Sequence, residues 1–360
     1  MTDPYDAVVL VSFGGPDGPE DVLPFLENVT RGRDIPRPRL LAVAEHYHHF
    51  GGASPINAEN RLLLASIRQD FADHGLELPV YWGNRNWHPY LADTVRSMAG
   101  DGVRKALAFV TSAYSSYSGC RQYQEDIEQA RLAAGPEAPR IDKLRHYFNH
   151  PGFVDANADA VRAALATLPE AHRASTRLLF TAHSIPLSMA RNSGPDGDLY
   201  VRQLQETAAL VAAAAAPDLG WDLAWQSRSG SPRTPWLEPD INDRLEELAG
   251  SGTTDVVVSP IGFVSDHLEV AWDLDTEAAA TAHRLGVGFV RAATAGRDRR
   301  FVAIVRQLVL ERTATEDLRQ VCGEMGPGPD HCPAGCCLAT DQAYPVVGVS
   351  PHPPREPHHA

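Results

Sequence analysis

Six short runs of β-branched or otherwise apolar residues punctuate the chain: Ala7–Ser12, Leu78–Trp82, Ala106–Thr111, Leu178–Ala182, Leu223–Gln226 and Val256–Ile261. Runs of this length, bounded by polar or turn-forming residues, predict buried strands. Between them the apolar positions recur at helical spacing over Ala58–His74, Asp155–Leu168, Leu199–Ala216 and Asp240–Ala249, and a last helix is expected over Arg300–Arg312. Strands alternating with helices predict α/β units around parallel sheets. The pattern is laid down twice, with an interruption near residues 140–155 where Pro139, Arg145–Tyr147 and Pro151 break the helical period. The fold class is therefore α/β, with two doubly wound domains in tandem. The first is expected over 1–145, rejoined by the helix near 298–315, and the second over 146–297. A chain of 360 residues is also too long for one ordinary core.

Composition changes abruptly after that last helix. Gly326–Pro329, Pro333 and Gly335 cannot extend a helix, and four of the five cysteines fall between Cys322 and Cys337. The segment 316–340 is read as a loop that something other than a core must shape. The Pro- and His-rich end, 341–360, is expected to be disordered, its His358 and His359 included. The N-terminus lacks the regions of a signal peptide, and the alanine run at Ala212–Ala216 is far too short to span a bilayer, so a cytoplasmic protein is expected. In a reducing compartment, clustered cysteines point to metal rather than to disulfides. A formal net charge of −14 disfavours nucleic acid or an anionic membrane surface as partner.

In open parallel sheets, ligands sit beyond the carboxyl ends of the strands. Two such places carry chemistry. Leu178–Pro186 ends its strand at His183, and although a lone histidine is more often structural, neutral imidazole is also a metal ligand and a proton acceptor. After Val256–Ile261 comes a helix on which Glu269, Asp273 and Glu277 advance only about 40° per step and form an acidic row. A solvated helix face would look the same, yet Val270, Ala271 and Trp272 surround the row with apolar bulk. Carboxylates stacked without Lys or Arg repel one another, and a divalent cation would relieve this.

These segments resemble the ferrochelatase family. The run Leu178 to Pro186, followed by Asn192, Gly194-Pro195 and Tyr200, is similar to its signature. So are Trp225-Gln226-Ser227, Thr234 to Leu237 with Pro239-Asp240, and Gly262-Phe263-Val264 with Asp266 to Glu269. Phe13 to Pro16, Arg31-Gly32-Arg33 and Gly51 to Pro55 extend the likeness over roughly residues 5–312. The resemblance implies two Rossmann-like domains with a porphyrin cleft between them and an enzyme, a lyase of haem biosynthesis, that inserts Fe²⁺. It implies that His183 and Glu269 face one another across the macrocycle as base and metal ligand, with Asp273 and Glu277 continuing a path for iron or protons. Arg31, Ser54 and Tyr123 match propionate contacts of a bacterial branch acting on coproporphyrin III. Protoporphyrin IX is the alternative substrate, and a non-catalytic porphyrin or iron sensor the alternative function. The implied partners are the porphyrin, ferrous iron and the downstream haem-forming decarboxylase.

The tail resembles an actinobacterial extension in which an internal cysteine joins tail cysteines to bind a [2Fe–2S] cluster. Here the internal member is Cys120, joined by Cys322, Cys332 and Cys337, with Cys336 as the alternative to Cys337. Zinc is the rival metal. Where some relatives place a tyrosine able to reach the metal, this chain has Phe13. The cluster His46, His48 and His49 falls on different helix faces and reads as packing or solvated. A nicotinamide-dependent oxidoreductase is disfavoured because no strand is followed by a Gly-x-Gly-x-x-Gly turn.

Overall fold

The computed structural model describes residues 5–32, 35–229, 233–313, 319–333 and 335–339. The expected tail 341–360 lies outside the described residues. Eight strands form two sheets: β1 (Ala7–Ser12), β2 (Val80–Asn84), β3 (Lys105–Val110) and β4 (Arg140–Lys143) in the first, and β5 (Arg177–His183), β6 (Trp221–Gln226), β7 (Asp255–Ser259) and β8 (Gly288–Arg291) in the second. The spatial orders are β2-β1-β3-β4 and β6-β5-β7-β8, with every pairing parallel. One topology is thus used twice. Every residue of β1 and of β7 is buried, because helices cover both faces of each sheet. This is why the central strands read as unbroken apolar runs.

The switch in strand order falls beside β1 in one sheet and beside β5 in the other, and the crevice at such a switch is where ligands bind. Ser12 and His183 stand at the carboxyl ends of β1 and β5, opposite Asn84 of β2 and Gln226 of β6. One hydrophobic core runs through both halves, with Phe109 and Tyr147 stacked at 5.0 Å and Phe301 edge-on to each. Phe301 belongs to the helix Arg299–Thr313, which packs on Ile56–Asp73 from the first half and on Pro151–Thr167 from the second. Among the described residues no helix is long and apolar enough to cross a membrane.

Two segments depart from regular α-helix. Tyr117–Arg121, which carries Cys120, and Ala271–Ala278, which carries Asp273 and Glu277, are π-helical, so the acidic row begins with Glu269 on the α-helical turn Leu268–Val270 and continues on a widened one. The cysteine-rich tail is laid along residues 145–149. Buried Arg145 grips Glu311 through two bonds of 2.7 and 2.8 Å and donates to the Gln320 carbonyl at 3.0 Å, while the Asn149 amide donates to the Gly326 carbonyl at 2.8 Å.

Candidate active site

Between the two sheets lies a cleft of about 1500 Å³, lined from both halves. It is larger than the roughly 300–1,000 Å³ of ordinary small-molecule sites. Phe13, Val43, Trp236, Phe263 and Trp272 give it apolar walls. Such a space admits a large ligand with an apolar body and polar groups at its edge.

His183 ends β5, and the chain around it is braced on several sides. The segment Thr234 to Pro239 lies across the strand end: Leu187 N–H donates to the Pro235 carbonyl, Leu237 N–H to the Ile185 carbonyl, and the Ser184 hydroxyl to the Leu237 carbonyl at 2.9 Å. The ring Nδ1 lies 2.5 Å from the Ser184 carbonyl oxygen. A carbonyl can only accept, so Nδ1 carries a proton, and in the neutral ring the lone pair is on Nε2. That Nε2 is 3.8 Å from Glu269 Oε2. The expectation that the two residues face one another across a macrocycle is therefore corrected. A ring between them would need roughly 3.5–4.0 Å on each of its sides. They stand together on one side of the cleft.

Of the acidic row only Asp273 is withdrawn from solvent, Glu269 and Glu277 being exposed. Asp273 receives the Ser227 hydroxyl and, at 3.4 Å, the Gln226 amide. Burial, reinforced by the charges of Glu269 and Glu277, pushes its carboxyl up to about 7 despite those two bonds. Glu277 accepts the Trp272 indole N–H at 2.8 Å. Trp272 is in turn stacked on His46, from the first half, with ring centres 3.8 Å apart and planes 7° apart. His46 and His49 thus pack on Trp272, and His48 is exposed, in line with the packing reading of that cluster.

Arg31 and Ser54 both line the cleft, the first exposed and the second buried against the Gly15 turn. Tyr123 also lines it but is buried, its ring covered by the Arg85 guanidinium at 4.7 Å. Arg85 pairs with Asp126 at 2.8 Å and lies 5.7 Å from the Phe13 ring centre. Sequence reasoning passed over Arg85, Ser227 and His267 as site residues. Ser227 directly follows β6, which was a usable signal. His267 lines the cleft edge-on to Phe263 at 4.9 Å, and burial lowers its pKa, so it adds a neutral imidazole near His183 and Glu269.

The tail thiols form a second grouping. Cys120 interacts with Cys332 and Cys337, whose thiols hold its pKa down, and Cys336 Sγ is 3.6 Å from Cys337 Sγ. Cys120, Cys336 and Cys337 are buried. Cys322 is not brought to them: its N–H is tied to the Asn149 carbonyl at 2.7 Å, and its thiol lies near Asp155 and is raised chiefly by burial. Among the described residues, no three Cys, His, Asp or Glu side chains already form a cage for one metal ion. The Cys336–Cys337 spacing is nonetheless compatible with two thiolates on one metal ion. Two thiolates on one tetrahedral ion, each about 2.3 Å from it, stand roughly 3.8 Å apart.

Comparison with known proteins gives one consistent answer. The profile of the ferrochelatase family matches residues 5–313. A coproporphyrin III ferrochelatase of Streptomyces griseus is 56% identical, over 93% of this chain and 94% of its own, and that of Mycolicibacterium smegmatis is 56% identical, over 92% and 95%. A ferrochelatase of Rhodopirellula baltica is 51% identical over 97% of both chains. Among solved structures, SirB from Bacillus subtilis with Fe³⁺ superimposes with a TM-score of 0.53 at 12% identity, covering 87% of this chain and 98% of its own, a likeness of fold.

Proposed function

The chain belongs to the ferrochelatase family, and on that premise we propose that it inserts Fe²⁺ into coproporphyrin III in the cytoplasm. The observation that carries the reading is the pair of His183 Nε2 and Glu269 Oε2, 3.8 Å apart on one side of a cleft large enough for a macrocycle. Metallation replaces two pyrrole N–H protons by one Fe²⁺, so the site must accept protons and offer iron an oxygen or nitrogen ligand on the same side. Nε2 has its lone pair free for either duty. Glu269 supplies the carboxylate beside it, and Asp273 and Glu277 carry iron or protons between the pair and solvent. An apolar wall strips water from the charges that meet there and strengthens their interaction.

The choice of porphyrin rests on the curated relatives and on the polar cleft residues Arg31, Ser54 and Tyr123. Of these, Tyr123 is the least available, since its hydroxyl already meets Thr111 and Arg85. Four propionates need several polar anchors, and a site built for them leaves those groups unsatisfied when two become vinyls. The product would pass to a haem-forming decarboxylase.

We further propose that Cys120, Cys332, Cys336 and Cys337 hold a [2Fe–2S] cluster, which replaces Cys322 by the neighbouring pair in the set expected from sequence. When bound, the cluster supplies ordering energy to a tail that is short of apolar contacts. Iron insertion involves no net redox change, so none of its steps runs through that centre.

Anaerobic metallation assays with both porphyrins test the function. The expected result is a kcat/KM clearly higher for coproporphyrin III and no turnover in His183→Ala of unchanged fold. Equal or better use of protoporphyrin IX would refute the substrate, and near-normal turnover in His183→Ala would refute the site.

A further inference from the structure

A chain of buried hydrogen bonds leads from the tail to His183. The Cys337 Sγ accepts the Gly194 N–H at 3.2 Å. Gly194 has φ +76°, and a Cβ there would lie 2.6 Å from the Leu199 side chain, so the loop fits in one way only. The preceding residue, Ser193, is fully buried. Its hydroxyl donates to the Ala190 carbonyl at 2.5 Å and accepts the Tyr200 N–H at 2.9 Å. Tyr200 then donates its own hydroxyl to the His183 carbonyl at 2.9 Å. Its ring is held between Tyr114 and Trp225, at 6.3 and 5.9 Å.

The two ends of this chain matter for different reasons. At one end, the peptide that joins His183 to Ser184 is bonded twice, once by Tyr200 at its carbonyl and once by Gln226, whose carbonyl accepts the Ser184 N–H at 2.8 Å. The imidazole hangs from that peptide and is turned by its own bond to the Ser184 carbonyl, so the peptide's orientation decides where Nε2 points. At the other end, Cys337 shares its thiol environment with Cys120 on the first half of the molecule. The same π-helical turn brings the Ser118 hydroxyl to 3.7 Å from the Met189 sulfur, just before the loop. The thiol group therefore touches both walls behind the cleft.

We propose that Tyr200 is a positioning residue for His183, and that the tail sets the seating of that histidine through Cys337, Gly194, Ser193 and Tyr200. The inference rests on His183 acting as base or ligand. It gives the thiol group an effect on metallation that needs no electron transfer: whatever orders Cys337 orders the peptide on which the imidazole is hung.

Tyr200→Phe keeps the ring and its packing and removes only the hydroxyl. The expected result is a kcat lower by about threefold to tenfold, the usual consequence of losing one buried hydrogen bond, with KM for the porphyrin unchanged. Hydrogen exchange over residues 183–186, measured on protein without substrate, should quicken. Cys337→Ser should lower kcat similarly and quicken exchange over 183–200, and combining it with Tyr200→Phe should add little. Ser193→Ala leaves both thiol and phenol in place and should do the same, which keeps the test valid if Cys337→Ser fails to fold. Unchanged kcat in Tyr200→Phe, or effects of Cys337→Ser and Tyr200→Phe that multiply, would overturn the proposal. His183→Ala measured alongside separates the two levels. An active His183→Ala sinks the assignment of the base itself, whereas an inactive one beside an unimpaired Tyr200→Phe sinks only this inference.

Discussion

Asp273 is the carboxylate whose surroundings differ most from those of a surface acid. Its pKa near 7 stands above the ordinary aspartate value of 3.8, so the folded state holds the proton more tightly than the unfolded state does. Stability from this group is present below about pH 4 and is lost as pH rises from there to about 7. Asp273→Asn, which keeps an oxygen for Ser227, should therefore raise Tm of metal-free protein at pH 8 and leave it nearly unchanged at pH 4.5, while slowing metallation. Thermal unfolding at the two pH values checks this, and an equal gain at both would contradict it. In the sequence His183 stood out because it ends a strand, and Glu269 because it opens an acidic row on the helix that follows Val256–Ile261. Ser227 and Gln226, which fix Asp273, come from another strand end more than forty positions away, and only the placing of β6 and β7 on either side of β5 brings them near. That proximity is a property of the sheet, and no local pattern carries it.

The elements were legible in proportion to their burial. The six expected strands are the four central ones and the edge strands β2 and β6, which bury part of an apolar run, while the other two edges, β4 and β8, are the four-residue strands Arg140–Lys143 and Gly288–Arg291, half-buried or exposed throughout and without such a run. The π-helical turns were not legible either, since spacing alone cannot tell a widened turn from a regular one. The helix Pro151–Thr167 illustrates a cap that the sequence hides. His150 precedes Pro151, and its Nδ1 accepts the Gly152 N–H at 3.1 Å. Burial, with some help from the charge of Arg145, lowers its pKa to about 4, so the ring is neutral in the folded protein. The unfolded chain takes up a proton first, and stability is lost as pH falls from about 6.5 to about 4, by at most roughly 3 kcal/mol. His150→Asn retains a capping acceptor but cannot titrate. In urea unfolding, the wild type should lose more stability than this variant between pH 7 and pH 4.5; parallel losses would show that His150 is not the sensitive group.

At the scale of the molecule, the two halves share one core, and the helix Arg299–Thr313 packs on helices from both, so the tail that follows emerges beside the crossover at 145–149. From there Arg145 and Asn149 guide it, and its last described residues reach Cys120 from the first half and Gly194 from the second. The resemblance implied Cys120 as the internal thiol and Cys322 and Cys332 as tail members, and left Cys336 and Cys337 to compete for the last place. The choice depends on where Asn149 holds the backbone of Cys322, which is a tertiary contact. It also sets apart two substitutions that look alike on paper. Cys120→Ser removes a buried thiol hydrogen-bonded to Cys332 and Cys337 and, on the proposed cluster, should abolish the visible absorption bands of anaerobically prepared protein, expose the tail to limited proteolysis and lower Tm, because the ordering energy of that cluster would be lost with it. Cys322→Ser removes a thiol that stands apart beside Asp155, and should leave bands, proteolysis and Tm close to wild type. Absorption spectra with iron and inorganic sulfide determined per chain decide between the outcomes. Bleaching by Cys322→Ser would return that residue to the ligand set, and one zinc with no sulfide in the wild type would replace the cluster by a tetrahedral zinc site on the same four thiolates.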